Sequence, residues 1–346
     1  NQAVTNLIRY DPNENFIKQS DQLNSFFNKA INNDNNVIIL GEDIASPYGG
    51  AFKITKDLSD SFPENVVSTP ISEAGITGLG IGLGIAGYKP FVEIMFGDFI
   101  TYAFDQILSN LSKFPHMFNN QVRTSVFIRT PMGGRRGYGP THSQSLEKLL
   151  YGVPNVNLIS LNTLTNAEEI YSSLIRNEKA SIIIENKLDY GRLVPYKKNN
   201  LSYEFYKDNS DYPNICVKPK DQEPDITFIT FGGSVHLLFD VMEDIFVEYE
   251  LIPQIIMLTK LYPIDLSSVF DNIKSTSILI TVEEGVKDGG IGSDILENIR
   301  EYDNNYLFKS KRIGAKNVPI PSVRSLENKV LPNKSMIFNA IDELIK

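Results

Sequence analysis

Short apolar runs rich in β-branched residues alternate with amphipathic segments through residues 20–191, and this alternation restricts the possible fold more than any other feature of the chain. Buried strands are predicted for five of these runs, at 36–40, 91–95, 125–129, 156–160 and 181–185. Helices are predicted at 20–32, 99–111 and 165–176. Because buried strands that alternate with helices form mostly parallel sheets, the sequence predicts a doubly wound α/β domain.

A second α/β pattern follows a change in composition. Residues 192–224 are rich in Lys, Asn, Asp, Tyr and Pro and lack sustained apolar periodicity. Strands are then predicted at 226–230, 254–258 and 277–281, and helices at 234–249 and 292–302. At 346 residues the chain exceeds the usual size of one domain. The predicted parts are a polar N-terminal extension (1–19), an α/β domain (20–191), a linker (192–224) and a smaller α/β domain (225–346).

Residues 69–87 combine the start of a helix with an unusual number of glycines. Thr69 is predicted to be the N-cap, and Glu73 is predicted to lie in the first turn near the positive end of the helix dipole. Glycines occupy every second position from Gly78 to Gly84, so glycines four residues apart share a face. Each helical glycine costs about 1 kcal/mol relative to alanine, so we expect another backbone to pack closely against a face that the glycines leave bare.

A long glycine-rich loop occupies the first part of segment 129–150 and ends in a histidine. Loops of this length within a compact domain are usually functional or disordered. His142 is one of three histidines in the chain, and a single loop histidine is most often only solvated. The tandem Arg135 and Arg136 could bind a substrate carboxylate in a bidentate way, or they could be solvated.

Composition argues against several classes of function. The net charge is −9 and no stripe is dense in Lys and Arg, so we do not expect a nucleic-acid partner. No apolar run reaches the roughly 20 residues that span a bilayer, so we expect no membrane partner. No Cys/His cluster predicts a metal ligand within the chain. The single cysteine, Cys216, cannot form an internal disulfide, and we therefore expect a reducing, cytosolic location.

Several motifs, in order along both predicted domains, resemble those of the β subunits of thiamine-diphosphate-dependent 2-oxo acid dehydrogenases, the pyruvate, branched-chain and acetoin types of the transketolase-like superfamily. The motifs are TPISEAG at 69–75, VEIMFGDF at 92–99, HSQS at 142–145, IIIENKLDYG at 182–191, EEG at 283–285, GGIG at 289–292 and VPIP at 318–321. The resemblance covers residues 20–346. It implies a transketolase-like pyrimidine-binding domain, a smaller transketolase C-terminal domain, and an α2β2 heterotetramer in which the glycine-rich helix packs across a subunit interface.

The resemblance also assigns roles to three residues. Glu73 matches the glutamate that bonds the aminopyrimidine ring of thiamine diphosphate, where a carboxyl group can exchange a proton with the ring. Phe99 matches the aromatic residue that stacks on the pyrimidine, with Phe96 expected to be a core residue nearby. His142 matches the loop histidine that faces the reacting carbon. No such match fixes Arg135 and Arg136, which are candidate substrate ligands.

One expected motif is missing from the chain. Enzymes of this class hold Mg²⁺ and the cofactor diphosphate through a Gly-Asp-Gly motif and a later Asn, and the sequence contains no Gly-Asp-Gly. Asp98 is predicted instead to be the N-cap of the helix at 99–111. The resemblance therefore implies that the diphosphate and Mg²⁺ sites lie on an α-type partner, either a separate chain or a domain fused upstream.

The resemblance predicts a subunit that, with this α-type partner, decarboxylates a 2-oxo acid through a thiamine enamine and passes the acyl group to a lipoyl carrier borne by an acyltransferase. One alternative keeps the cofactor but joins the acyl unit to an aldehyde or a second oxo acid, as a carboligase does. Another alternative is a non-catalytic assembly or regulatory subunit, which the presence of Glu73, Phe99 and His142 disfavours. The sequence does not identify the 2-oxo acid.

Overall fold

The structure is a computed structural model that describes residues 7–12, 17–193 and 202–346. The strands are β1 (Ile8–Tyr10), β2 (Val37–Gly41), β3 (Val66–Ser68), β4 (Lys89–Glu93), β5 (Phe127–Met132), β6 (Asn157–Ser160), β7 (Ser181–Asn186), β8 (Tyr203–Lys207), β9 (Ile215–Pro219), β10 (Ile226–Phe231), β11 (Pro253–Leu258), β12 (Lys260–Tyr262), β13 (Ile278–Val286) and β14 (Lys309–Ala315). The α-helices are α1 (Gln19–Asn33), α2 (Leu58–Ser61), α3 (Glu73–Ile85), α4 (Phe114–Met117), α5 (Glu147–Leu150), α6 (Ala167–Asn177), α7 (Ser234–Tyr249), α8 (Phe270–Lys274), α9 (Gly292–Tyr302), α10 (Arg324–Val330) and α11 (Lys334–Ile345).

The first sheet has the strand order β12-β6-β7-β5-β4-β2-β3, and β2 to β7 run parallel within it. Alternate residues of its strands enter different apolar clusters. In β2, for example, Val37 and Ile39 join the cluster around α1 and α6, whereas Ile38 and Leu40 join the cluster on the α3 side. Both faces of the sheet are therefore covered, as expected for a doubly wound parallel sheet.

The second sheet has the order β1-β8-β9-β11-β10-β13-β14. Strands β11, β10, β13 and β14 are parallel, and β9, β8 and β1 extend the sheet in antiparallel fashion. The short strand β12, from the second half of the chain, pairs with β6 and so belongs to the first sheet. The two predicted α/β units are present, and β12 links the second half of the chain to the first sheet.

Parts of the predicted extension and linker form strands instead. Strand β1 lies within the extension, and β8 and β9 lie within residues 192–224. Phe205, Ile215 and Val217 are buried in the core of the second sheet, which explains this pairing. Sequence periodicity missed these strands because each is short and most are interrupted by charged residues. Residues 1–6, 13–16 and 194–201 lie outside the described residues, and the domain bounds remain a prediction.

Helix α3 begins later than predicted. Ser72 is the N-cap, and its side chain accepts a hydrogen bond from Gly75 N at 3.2 Å, so Glu73 is the first helical residue. The prediction that Thr69 is the N-cap is wrong, because the main chain of Thr69 bonds to Gly41 O at 2.9 Å and continues the strand pairing.

The region predicted as a helix at 99–111 contains a 3₁₀-helix (Gly97–Ala103) followed by a π-helix (Gln106–Leu111). Asp98 does not act as the N-cap. Its Oδ1 accepts a hydrogen bond from Gln144 Nε2 at 2.9 Å, so Asp98 holds the segment that follows the histidine loop, residues 133–142.

The α3 glycines do not share one environment. A Cβ atom on Gly80 would lie 2.5 Å from Val92 Cγ2, and one on Gly84 would lie 3.0 Å from Val126 Cγ2, so this pair lets α3 approach its own sheet. A Cβ atom on Gly82 would meet nothing within 4 Å, and Gly82 is exposed beside Leu79. The expected close packing is thus present within the chain on one face, whereas the other face is uncovered.

In the part of the chain that the structure describes, no helix has the length and apolar character needed to cross a membrane.

Candidate active site

Segments that follow parallel strands meet at the carboxyl edge of the first sheet. The segments after β2, β3, β4, β5 and β7 carry Glu42, Glu73, Phe99, His142 and Lys187, respectively. Helix α3, which begins with Glu73, packs against the 3₁₀-helix that carries Phe99. Open α/β sheets bind ligands at this edge. The structure therefore brings Glu73, Phe99 and His142 to the side of the sheet where a ligand site is expected.

Glu73 has a second carboxylate, Glu42, as a neighbour. Glu42 is 6% exposed, and its Oε1 has no hydrogen-bond partner among the described residues. Burial, and next the charge of Glu73, raises the pKa of Glu42, whereas a main-chain hydrogen bond from Ser72 lowers it. Two carboxylates that repel each other favour the binding of a proton between them. Glu42 therefore binds a proton more readily than an ordinary glutamate does.

Sequence reasoning did not single out Glu42. Its position immediately after the buried strand β2 was a signal, because the first residues after a parallel strand face the ligand edge of the sheet.

His142 packs edge-on against two phenylalanine rings. Its ring centroid is 4.8 Å from that of Phe96 and 5.1 Å from that of Phe99. Its Nδ1 lies 2.8 Å from the hydroxyl of Thr141, which can orient the imidazole. Phe96, expected to be a core residue, is half-buried and belongs to the same cluster. Histidine and aromatic residues predicted from separate motifs are therefore in contact.

The tandem arginines have different environments. Arg135 has a φ of +67°, and its Nη2 donates to Pro332 O at 2.6 Å, so its side chain ties the loop to the segment between α10 and α11. The guanidinium of Arg136 lies 5.6 Å from the ring centroid of Phe52 and 5.5 Å from that of Tyr138. Because Tyr138 in turn contacts Phe96, Arg136 lies at the rim of the His142 cluster.

The comparisons with known proteins match both halves of the chain. Residues 17–192 match the family "Transketolase, pyrimidine binding domain", and residues 216–337 match "Transketolase, C-terminal domain". Pyruvate dehydrogenase E1 component subunit beta-1, mitochondrial, of Arabidopsis thaliana is 31% identical, over 92% of the chain and 87% of that protein. The chain belongs to the E1 β-subunit family. Pyruvate dehydrogenase E1 component subunit beta, mitochondrial, of Saccharomyces cerevisiae is 29% identical, over 94% of the chain and 88% of that protein.

A solved structure described as "Split gene transketolase, inactive beta4 tetramer" is similar to this E1 β subunit in fold. The TM-score is 0.73, with 95% of this chain and 98% of that chain covered, at 16% sequence identity. At this identity the likeness supports the fold alone.

Family membership confirms the predicted fold class and the predicted class of enzyme. The protein is a β-type subunit of a thiamine-diphosphate-dependent 2-oxo acid dehydrogenase, which acts with an α-type partner in an oligomer. The predicted cytosolic location is wrong, because the names of the Arabidopsis and yeast relatives place those proteins in mitochondria. A lack of disulfides indicates only a reducing environment, and the cytosol is not the sole compartment of that kind.

A buried ionic network lies in the sheet beneath the site. Arg129 of β5 is 1% exposed and donates hydrogen bonds to Glu93 of β4 and to Glu185 of β7, the bond from Nε to Glu185 Oε1 measuring 3.0 Å. The hydroxyls of Tyr171 and Tyr190 also donate to Glu185. The network joins the three strands whose ends carry the aromatic cluster, the histidine loop and Lys187.

Three glutamates cluster where the histidine-loop segment meets the second sheet. Glu147 is 3% exposed, and burial, followed by the charges of Glu283 and Glu284, raises its pKa to about 8. Burial also raises the pKa of Glu283 to about 7, against hydrogen bonds from Gly292 N and Ile291 N at 3.1 and 3.0 Å. Glu147 is therefore largely protonated in the folded protein near neutral pH.

Replacing Glu147 with Gln should change how stability depends on pH. The pKa of Glu147 is about 8 in the folded protein and 4.5 as an ordinary side chain. Between these values the folded state binds more protons than the unfolded state, so the contribution of Glu147 is fully present below pH 4.5 and is lost as pH rises through 8. We expect E147Q to have a Tm close to wild type at pH 5 and above wild type at pH 8.5, as measured by thermal scans. An equal Tm difference at both pH values, or the same pattern in the exposed control E297Q, would contradict this assignment.

Proposed function

We propose that the protein supplies the pyrimidine-binding half of the active site of a 2-oxo acid dehydrogenase and passes the acyl product to a lipoyl carrier. The observation that carries this proposal is that the neighbouring Glu42 and Glu73 carboxyls and the cluster of Phe99 and His142 follow strands that end at the same edge of the sheet. Both relatives named above are pyruvate dehydrogenase components, so pyruvate is the first substrate to test.

The residues present fit the pyrimidine ring of thiamine diphosphate. Glu73 would bond the ring nitrogen, and Phe99 would lie against the ring face. The buried, unpartnered Oε1 of Glu42 indicates that this carboxyl meets a proton or a ligand that the folded chain alone does not provide. Thiamine diphosphate supplies carbanion-stabilising chemistry when bound. Within this chain, Glu73 would exchange a proton with the ring, and Glu42 would keep that proton available beside it.

His142 and Arg136 would act on the substrate. The half-buried His142 would donate a hydrogen bond to the oxygen on which negative charge develops. The guanidinium of Arg136 lies near two aromatic rings, donates one hydrogen bond from Nη1 to Lys187 O at 3.3 Å and forms no ion pair with the described carboxylates. Its other N–H groups would bind the substrate carboxylate. Arg135 is not part of this proposal, because both of its terminal nitrogens already donate hydrogen bonds, Nη2 to Pro332 O and Nη1 to Asn328 Oδ1.

The α-type partner would hold the diphosphate and Mg²⁺. The chain contains no Gly-Asp-Gly motif, and among the residues that the structure describes no group of three or more His, Cys, Asp or Glu side chains could hold a metal ion. The complete site would thus form only between subunits.

The uncovered face of α3 would pack against a neighbouring subunit, the second β-type copy of an α2β2 assembly. Leu79 is 49% exposed on this face, and Gly82 would allow a close backbone approach. The matched substitutions G82A and G80A distinguish this contact from packing within the chain.

We expect G82A to weaken assembly without destabilising the isolated chain. The new Cβ meets nothing in the chain and replaces a helical glycine, so the Tm of the isolated chain should stay equal or rise, whereas subunit association measured by analytical ultracentrifugation should weaken at least tenfold. G80A should lower the Tm of the isolated chain, because its Cβ would lie 2.5 Å from Val92 Cγ2. If G82A associates as strongly as wild type, this face of α3 is not part of the interface.

Product analysis tests the proposed reaction. The protein is co-assembled with its α-type partner and supplied with thiamine diphosphate, Mg²⁺, pyruvate or a branched-chain 2-oxo acid, and either a lipoyl domain or an aldehyde. Release of CO₂ with formation of acyl-lipoyl product supports the proposal. A new carbon–carbon bond, formed in preference to acyl-lipoyl product, would instead assign a carboligase.

A further inference from the structure

Lys187 makes an unusual set of contacts with the histidine loop, residues 133–142. Its side chain is fully buried, and its Nζ donates to Gly133 O at 2.9 Å and to His142 O at 2.6 Å. One ammonium group therefore bonds to both ends of the loop. Its main chain also contacts the loop region, because Lys187 N donates to Met132 O at 3.0 Å and Lys187 O accepts from Arg136 Nη1 at 3.3 Å.

The charged Nζ of Lys187 is buried but forms no ion pair among the described residues. No described carboxylate forms an ion pair with its Nζ, which lies 5.5 Å from the centroid of the Phe96 ring. A buried ammonium without an ion-pair partner is costly, and its two carbonyl hydrogen bonds, together with the charges of Asp98 and Glu284, offset that cost here. Burial lowers the pKa of Lys187 to about 8, against the raising effects of Asp98 and Glu284. An apolar side chain would leave the carbonyls of Gly133 and His142 without this donor, so the contacts to the loop are what distinguish a lysine at this position.

The second half of the chain holds the other side of the same loop. Glu284 Oε1 accepts from Gly134 N at 2.7 Å, and Glu327 Oε1 accepts from Arg135 N at 2.6 Å. Arg135, with its φ of +67°, is bonded at its main chain as well as at its side chain. The loop is thus fixed between Lys187 on one side and two carboxylates on the other.

We propose that Lys187 is a positioning residue, which sets the conformation of residues 133–142 and so places the imidazole of His142 for the reaction. This inference rests on the proposed role of His142. Lys187 touches no reacting atom in this account and acts through the carbonyls of Gly133 and His142. Because a catalytic group misplaced by about 1 Å can cost about a hundredfold in rate, a loose loop should lower kcat more than it changes KM.

The test compares K187M with a matched lysine variant in the complex with the α-type partner. Methionine keeps the length of the side chain and removes the ammonium. The control K148M removes the ammonium of Lys148, which donates to Asp288 O at 2.7 Å and so bonds outside the loop. Amide hydrogen exchange of residues 133–142, kcat, KM and Tm are measured for wild type and both variants.

In K187M we expect the loop amides to exchange at least tenfold faster than in wild type. The kcat should fall about 10- to 100-fold, whereas KM for the 2-oxo acid should change less than threefold. K148M should retain both loop protection and kcat. A K187M complex with a lowered Tm but unchanged loop exchange would overturn the proposal, and so would faster loop exchange with unchanged kcat. If H142A also leaves kcat unchanged, the proposed role of His142 is wrong. If H142A lowers kcat while K187M does not, only the proposed role of Lys187 is wrong.

Wild-type protein provides a second measurement that does not depend on the folding of K187M. The amides of Gly134 and Arg135 should be protected from exchange in the assembled complex, although they lie in a glycine-rich loop, because both are bonded to carboxylates. Exchange of these amides at the rate of an open loop would contradict the fixed conformation on which the proposal depends.

Discussion

Replacing Glu73 with Gln should lower the kcat of the assembled enzyme by about 10²- to 10⁴-fold, the range in which positioned acid–base groups contribute. Glutamine keeps the size and the hydrogen-bonding geometry of the side chain, and the N-cap at Ser72 is untouched, so helix α3 should form normally. What would be lost is the proposed exchange of a proton between Glu73 and the cofactor ring. The decisive measurement is steady-state decarboxylation of the 2-oxo acid by the variant mixed with its α-type partner.

A matched control removes a carboxylate of the same type far from the helix start. Glu64 is exposed, and E64Q should retain wild-type kcat. A Glu73 variant that folds, assembles and turns over at the wild-type rate would show that the carboxyl has no catalytic role.

Replacing Arg129 with Met should cost about 3–5 kcal/mol in the free energy of unfolding, as is typical when one partner of a buried ion pair is removed. Glu93 and Glu185 would remain buried without their cation, and only the hydroxyls of Tyr171 and Tyr190 would still bond to Glu185. Burial already raises the pKa of Glu93 against the effect of Arg129, so removing the arginine should favour proton uptake by this carboxyl.

Urea denaturation compares R129M with R123M. The Arg123 side chain is 83% exposed and lies 3.5 Å from Glu178, so its loss should cost about 1 kcal/mol or less. Equal losses for the two variants would mean that the buried network contributes no more than a surface pair.

The sequence was sufficient to predict the parallel sheet, because strands buried on both faces leave continuous apolar runs such as residues 181–185. The resemblance also assigned Phe99 and His142 from separate motifs; their roles remain a prediction, and the structure places the two side chains in contact. Parallel strands explain this contact, since residues that follow different strands meet at one edge regardless of their distance in sequence.

Contacts over long separations could not be predicted from the sequence. The different environments of Arg135 and Arg136 depend on Pro332, almost two hundred residues later in the chain. Lys187 occurs next to a buried strand and would be interpreted from sequence as a solvated end of that strand, whereas the structure buries it under the loop. The start of α3 was misplaced because Thr69 and Ser72 are both suitable caps, and strand pairing at Gly41 decides between them.

The most direct test of the central claim, that this E1 β subunit holds one half of a thiamine diphosphate site, is isothermal titration calorimetry with thiamine diphosphate and Mg²⁺. The isolated chain, its isolated α-type partner and the assembled complex are titrated under the same conditions. We expect saturable binding at one site per αβ pair in the complex and at least hundredfold weaker binding to either part alone. A folded, assembled complex that binds no thiamine diphosphate would contradict the account and would favour a non-catalytic subunit.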